Sequence, residues 1–160
     1  MSTTYPDADT RPSRERNPER LPEHAIYKPN SRGNGGVMRF SLNPAKGAMF
    51  VEAAPQSGER QFDWEGKATM KWTLPDLGAA LAVLQLRQPE AKLFHQSERA
   101  NSAFELLRRD DPKRAPYLLT LSRQDAADRT LRKVTIPLTH GEAAVLEVAL
   151  VSATRRLVGW

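Results

Sequence analysis

Apolar and polar residues alternate along the chain from Val37 onward. Met38, Phe40 and Leu42 fall on one side of an extended segment, with Arg39 and Ser41 on the other. The turn-forming run Asn43-Pro44-Ala45-Lys46-Gly47 follows, and Ala48–Ala54 reads as a second strand, so this region predicts a hairpin. Pro55–Glu59 with Gly58 breaks the pattern. Arg60–Trp72 then reads as one longer strand, with Phe62, Trp64, Gly66, Ala68, Met70 and Trp72 on one face. Gln61, Asp63, Glu65, Lys67, Thr69 and Lys71 take the wet face. Thr73-Leu74-Pro75-Asp76 predicts a helix start, in which proline suits the first turn and the acid favours the positive helix end; Leu77, Leu81 and Leu84 form the buried stripe. Four further extended runs are predicted near 91–96, 103–109, 117–123 and 130–137. Thr139-His140-Gly141-Glu142 is a capping box opening a second helix to about Arg156.

Strands followed by a helix, twice over, argue against a doubly wound nucleotide fold, which needs strands and helices in alternation. The order predicts an α+β fold of two antiparallel sheets with helices at one end. Gly33, Gly35 and Gly36 precede the first clear strand and so read as a turn, not a phosphate loop. Residues 1–25 hold four prolines and four arginines with almost nothing large and apolar, which predicts a disordered arm ahead of a single folded domain at 26–160.

Composition narrows the function. The formal net charge is +5 and the pI about 9.8. Residues 1–30 carry five basic and five acidic side chains, so the whole excess belongs to the strand-rich part. There is no cysteine, which removes disulfides, thiolate metal sites and cysteine nucleophiles together. The three histidines have no metal-ligand spacing, and Asp63 and Glu65 stand beside Lys67 and Lys71 as a salt-bridged sheet surface would. No nucleophile, base and orienting group assemble, so neither an enzyme nor a cofactor or metal site is expected. No apolar run is long enough to cross a membrane, and a soluble, cytoplasmic protein is the expectation.

Single-stranded nucleic acid is held by cations along the backbone path and by aromatic rings on which bases stack. Both lie on the predicted strands or at their ends: Arg39, Arg60, Lys67, Lys71, Lys92, Arg108, Arg123, Arg132 and Lys133, with Tyr27, Phe62, Trp64, Phe94 and Tyr117 among them. Trp72 reads as core, whereas Phe62 and Trp64 fit either core or stacking platform.

Several of these segments resemble a known family in order and spacing. Arg60-Gln61-Phe62-Asp63-Trp64 followed by Lys67 and Thr73–Gly78 is similar to the centre of the Whirly single-stranded DNA-binding proteins. Gly36–Phe40, Phe50–Pro55, Leu93–His95, Ile136–Thr139 with Glu142–Leu146, and the ending Leu157-Val158-Gly159-Trp160 resemble further parts of it. The resemblance, to a bacterial or phage member, implies two antiparallel four-stranded sheets packed across each other and a homotetramer joined through helices. It also implies binding of single-stranded DNA along sheet edges between neighbouring subunits, with little sequence preference, in DNA maintenance, repair or transcription regulation. The family's Lys-Gly-Lys-Ala-Ala-Leu hallmark has no full counterpart, and Ile26-Tyr27-Lys28-Pro29-Asn30 is read as its shortened remnant. The resemblance carries over Arg39 and the Arg60–Lys67 stretch, with Arg60, Phe62, Trp64 and Lys67, and Lys71 is added on charge alone; Tyr27, Lys28, Lys92 and Arg123 complete the candidate contacts. The small residues Ala143, Ala144, Ala149 and Ala153 on the last helix suit close approach of a partner helix. Two alternatives stand beside this reading: an RNA-binding protein of the same fold, and a protein-interaction scaffold whose charge serves solubility.

Overall fold

The computed structural model describes residues 21–160. Its elements run β1 (Glu23–Lys28), β2 (Gly36–Asn43), β3 (Ala48–Gly58), β4 (Gln61–Phe62), β5 (Ala68–Trp72), α1 (Leu74–Leu84), β6 (Glu90–Gln96), β7 (Ala100–Arg108), β8 (Tyr117–Asp125), β9 (Leu131–Leu138) and α2 (His140–Val158). All pairings are antiparallel. The first sheet has the order β1-β2-β3-β5, with the two-residue β4 on the same edge of β3 further along; the second is β6-β7-β8-β9.

Alternation produces the core. Met38, Phe40 and Leu42 of β2, Met49, Val51 and Ala53 of β3, and Ala68, Met70 and Trp72 of β5 are buried on the inner face of the first sheet. Against them lie Phe104 and Leu106, Leu119 and Leu121, and Val134, Ile136 and Leu138 of the second. Trp72 is 1% exposed and sits at the centre, its ring 4.3 Å from Phe104 and 5.9 Å, edge-on, from Phe40. α1 and α2 close one end, burying Leu77, Leu81 and Leu84 on one helix and Ala143, Leu146, Leu150 and Ala153 on the other. Both helix starts are tied down. Asp76 Oδ2 accepts hydrogen bonds from the Thr73 amide (2.8 Å) and hydroxyl (3.1 Å). Thr139 Oγ1 accepts from the Glu142 amide at 3.1 Å while Glu142 Oε1 accepts from the Thr139 amide at 3.0 Å.

Two expectations need correction. The long strand over 60–72 does not exist. Asp63 and Gly66 are a turn pair, the Asp63 Oδ1 accepting from the Gly66 amide at 3.0 Å, and this local chemistry overrides the alternation around it. The chain therefore breaks between β4 and β5. Phe62 and Trp64 leave the face that buries Trp72, and Asp63 and Glu65 do not form a strand-borne pair. The second correction is at the start of the domain. Residues 23–25, assigned to the arm, belong to β1, which pairs with β2 from Glu23↔Ser41 to Lys28↔Gly36. Residues 1–20 of that arm lie outside the described residues.

The sheets approach closely at Gly36. A Cβ there would stand 2.5 Å from Val134 Cγ1 and 3.3 Å from the Ala54 carbonyl oxygen, so only glycine lets β2 pass over β9. Gly36→Ala is expected to cost about 1–3 kcal/mol through this overpacking. Gly78 is the contrast, a helical glycine with nothing within 4 Å of the added carbon, and Gly78→Ala should stabilise by about 0.5–1 kcal/mol. Urea unfolding of the two variants checks both signs.

Candidate nucleic-acid interface

Packing the sheets core to core leaves the outer face of the first one open, and the candidate residues gather there. The β2–β3 register sets Arg39 directly across from Glu52, and the β3–β5 register sets Glu52 across from Thr69. Glu52 Oε1 accepts a hydrogen bond from Arg39 Nη2 at 2.9 Å, and its other carboxylate oxygen is paired with Lys67 Nζ. One carboxylate thus holds two cations. The Arg39 guanidinium carbon lies 4.3 Å from the Trp64 ring centre, a cation–π stack that fixes the indole over the sheet. Tyr27 of β1 and Phe62 of β4 meet beside it with ring centres 5.7 Å apart, over a floor of Val37 and Ala54, which face each other across β2 and β3.

The turn at Asp63–Gly66 explains the arrangement. It lifts Trp64 out of the core and folds it back onto Arg39, so Phe62 and Trp64 are half-buried instead of inside, and Tyr27 is 59% exposed. Burial pushes the Glu52 carboxyl up, but hydrogen bonds and charge from Lys67 and Arg39 outweigh it and hold the group below its ordinary range. Glu52 consequently stays ionised at neutral pH, one carboxylate set against Arg39 and Lys67 beside three aromatic rings.

The remaining candidates are placed separately. Lys71 is exposed on β5 across from Phe50, and Arg60 is exposed in the β3–β4 turn with a left-handed φ of 58°; neither has an ion-pair partner among the described residues. Both border the Trp64 cluster's sheet. Lys28 turns to the other side, where its Nζ donates to Glu142 Oε1 at 2.7 Å and braces the start of α2. Arg123 lies where the two sheets open at their rim. It donates to Thr69 Oγ1 and to Asp125 Oδ1, both at 2.9 Å, and lines a groove of about 410 Å³ with Lys71, His95 and Ser102. Lys92 is on the outer face of the second sheet. Sequence reasoning missed Glu52. Its signal was an acidic residue at an outward position of a strand, and its role depends on strand register that spacing along one strand does not contain. Among the described residues no three His, Cys, Asp or Glu side chains group as a metal site, and no helix is long and apolar enough to cross a membrane.

The architecture is a two-sheet α+β sandwich with capping helices, and one outer sheet face is cationic and aromatic. The family model for the Whirly transcription factor matches residues 33–149, and the chain belongs to the Whirly family. It is 22% identical over 120 residues to the single-stranded DNA-binding protein WHY2, mitochondrial, of Arabidopsis thaliana, a match covering 72% of this chain. The chain spans about half the length of that curated relative, 50%. The fold is similar to the crystal structure of WHY1 from Arabidopsis thaliana, with a TM-score of 0.71 at 20% identity, over 88% of this chain and 86% of that one. It is also similar to a guide-RNA-binding protein complex bound to guide RNA, with a TM-score of 0.66 at 18% identity, over 92% and 99%. These likenesses account for the two crossed sheets and the two helices.

Glu52→Gln removes the counter-charge under Arg39 and Lys67. Because the folded carboxyl titrates below its unfolded value, its contribution is fully present above the ordinary value of 4.5 and is lost as pH falls through the lowered folded value. The variant should be less stable than the parent by about 1 kcal/mol at neutral pH, with the gap closing in acid. Chemical denaturation at pH 7 and pH 3 checks it; an equal gap at both would contradict the role of the charge.

Proposed function

We propose that the chain is a non-enzymatic single-stranded DNA-binding protein with little sequence preference, acting at the nucleoid in DNA maintenance, repair or transcription regulation. The observation that carries this reading is the shared outer face on which the Arg39–Trp64 stack, the Tyr27–Phe62 pair and Lys67 converge. Stacking on aromatic rings is sequence-tolerant because every base has a π-face, and guanidinium and ammonium groups follow the phosphates without reading bases. Lys71 and Arg60 extend the charge along the same sheet. Lys28 and Arg123 support it from behind and from the rim, one through the α2 cap and the other through Thr69.

The protein works as a homotetramer in this reading, assembled through α2. One stripe of that helix is buried on its own domain, while Ala144, Val145 and Val148 on another side are exposed, Val148 at 66%. An apolar helical stripe with no intramolecular partner suits a second helix. A tetramer also lengthens the binding track beyond what one small domain offers.

The reading is tested by titrating fluorescent single-stranded and duplex oligonucleotides of one sequence across a salt series, with unlabelled RNA as competitor. Single strands should bind far more tightly than duplex, and the logarithm of affinity should fall with that of salt by about 0.7 per phosphate contact. Trp64→Ala combined with Lys71→Glu should weaken binding at this face by about 2–4 kcal/mol while the oligomer stays intact. Equal affinity for duplex, or no effect of these substitutions, would favour a scaffold whose charge serves solubility. Preferential displacement by RNA would move the ligand to RNA.

A further inference from the structure

The outer face of the second sheet points away from the first and carries a cluster of its own. Register aligns Phe94, Ala103, Ser122 and Lys133 in one straight row across β6, β7, β8 and β9. The neighbouring row is Lys92, Glu105, Thr120 and Thr135. Small side chains in the middle of the first row leave a hollow of about 250 Å³, walled by Phe94 and Lys92 on one side and Lys133 on the other. Phe94 is 63% exposed and pairs with no other ring among the described residues. Its ring is open to a stacking partner.

The chemistry of the hollow selects its occupant. Phe94 offers a free ring face, Ser122 a hydroxyl on the floor, and Lys133 an ammonium with no carboxylate in ion-pair range among the described residues. Lys92 is only loosely held, its Nζ 3.8 Å from Glu105, while the Thr120 and Thr135 hydroxyls satisfy each other at 2.9 Å. A flat ring at one edge and cations at both edges match a base and its flanking phosphates. A peptide strand would need an open sheet edge to pair with, and this row crosses the middle of the sheet.

The geometry points to a second single-strand binding surface, on the outer face of the β6–β9 sheet, in which a base stacks on Phe94 and the neighbouring phosphates lie against Lys92 and Lys133. The inference rests on the reading of the chain as a single-stranded nucleic-acid-binding protein and adds to it: because the two outer faces point in opposite directions, each protomer holds two segments at once and can bridge two strands.

The test counts strands per protomer, using the full chain, low salt and an oligo(dT) eight nucleotides long. The parent should bind two per protomer. Phe94→Ala with Lys133→Glu, both at solvent-facing positions, should bind one, with the remaining affinity unchanged within about twofold. Phe94→Trp should keep both. Trp64→Ala with Lys71→Glu should also keep one, and only the combination of the two double variants should lose both. A parent that binds a single strand, and whose Phe94→Ala/Lys133→Glu variant is unchanged while Trp64→Ala/Lys71→Glu loses all binding, overturns this second surface and leaves the function standing. Absence of any oligo(dT) binding by the folded parent overturns both.

Discussion

The contact between the two sheets governs this molecule. Each strand has two faces, and pressing the sheets together through Trp72, Phe40, Phe104 and their aliphatic neighbours commits one face of every strand to the core. The contact is close enough that Gly36 cannot carry a side chain. What remains is two outward sheet faces, rigid because the core beneath them is packed and not because of anything on their surfaces. Placing a binding surface on such a sheet holds its aromatic rings in fixed positions, which limits the ordering entropy that ligand binding costs.

On the first of these faces a single carboxylate organises the chemistry. Glu52 draws Arg39 and Lys67 together, and Arg39 in turn carries the Trp64 ring. An acid in a cationic surface looks like a defect, since it cancels part of the charge that would attract phosphate. Here it converts two flexible side chains into fixed ones. Arg39 has further N–H groups to offer beyond the one that meets Glu52, so the guanidinium can be held and still contact a ligand.

The architecture was legible in the alternation of the chain because burial on one face is a local signal that repeats every second residue. Both helix starts were legible for the same kind of reason: Thr73 with Asp76 and Thr139 with Glu142 are short-range pairs. The long strand over 60–72 failed because Asp63 and Gly66 form a turn whose two hydrogen-bonding residues sit inside an alternating pattern. β1 was hidden by its composition; of its six residues only Ile26 is buried, and its place as an edge strand comes from pairing with β2. The candidate residues Arg39, Trp64 and Lys67 were visible as types, yet what joins them is Glu52 on a different strand, and register between strands is not written along either one. The same limit applies to the row from Phe94 to Lys133, which exists only once four strands are aligned.

The central claim, that single-stranded nucleic acid meets the protein at the Glu52-organised face, is tested most directly through the indole N–H signals of the three tryptophans in a nuclear magnetic resonance titration with oligo(dT). Trp64 is half-buried on that face, Trp72 is sealed in the core, and Trp160 is 97% exposed at the end of the chain. The account predicts that the Trp64 signal shifts as binding saturates while that of Trp72 stays in place. A saturated complex in which the Trp64 signal does not move would contradict it.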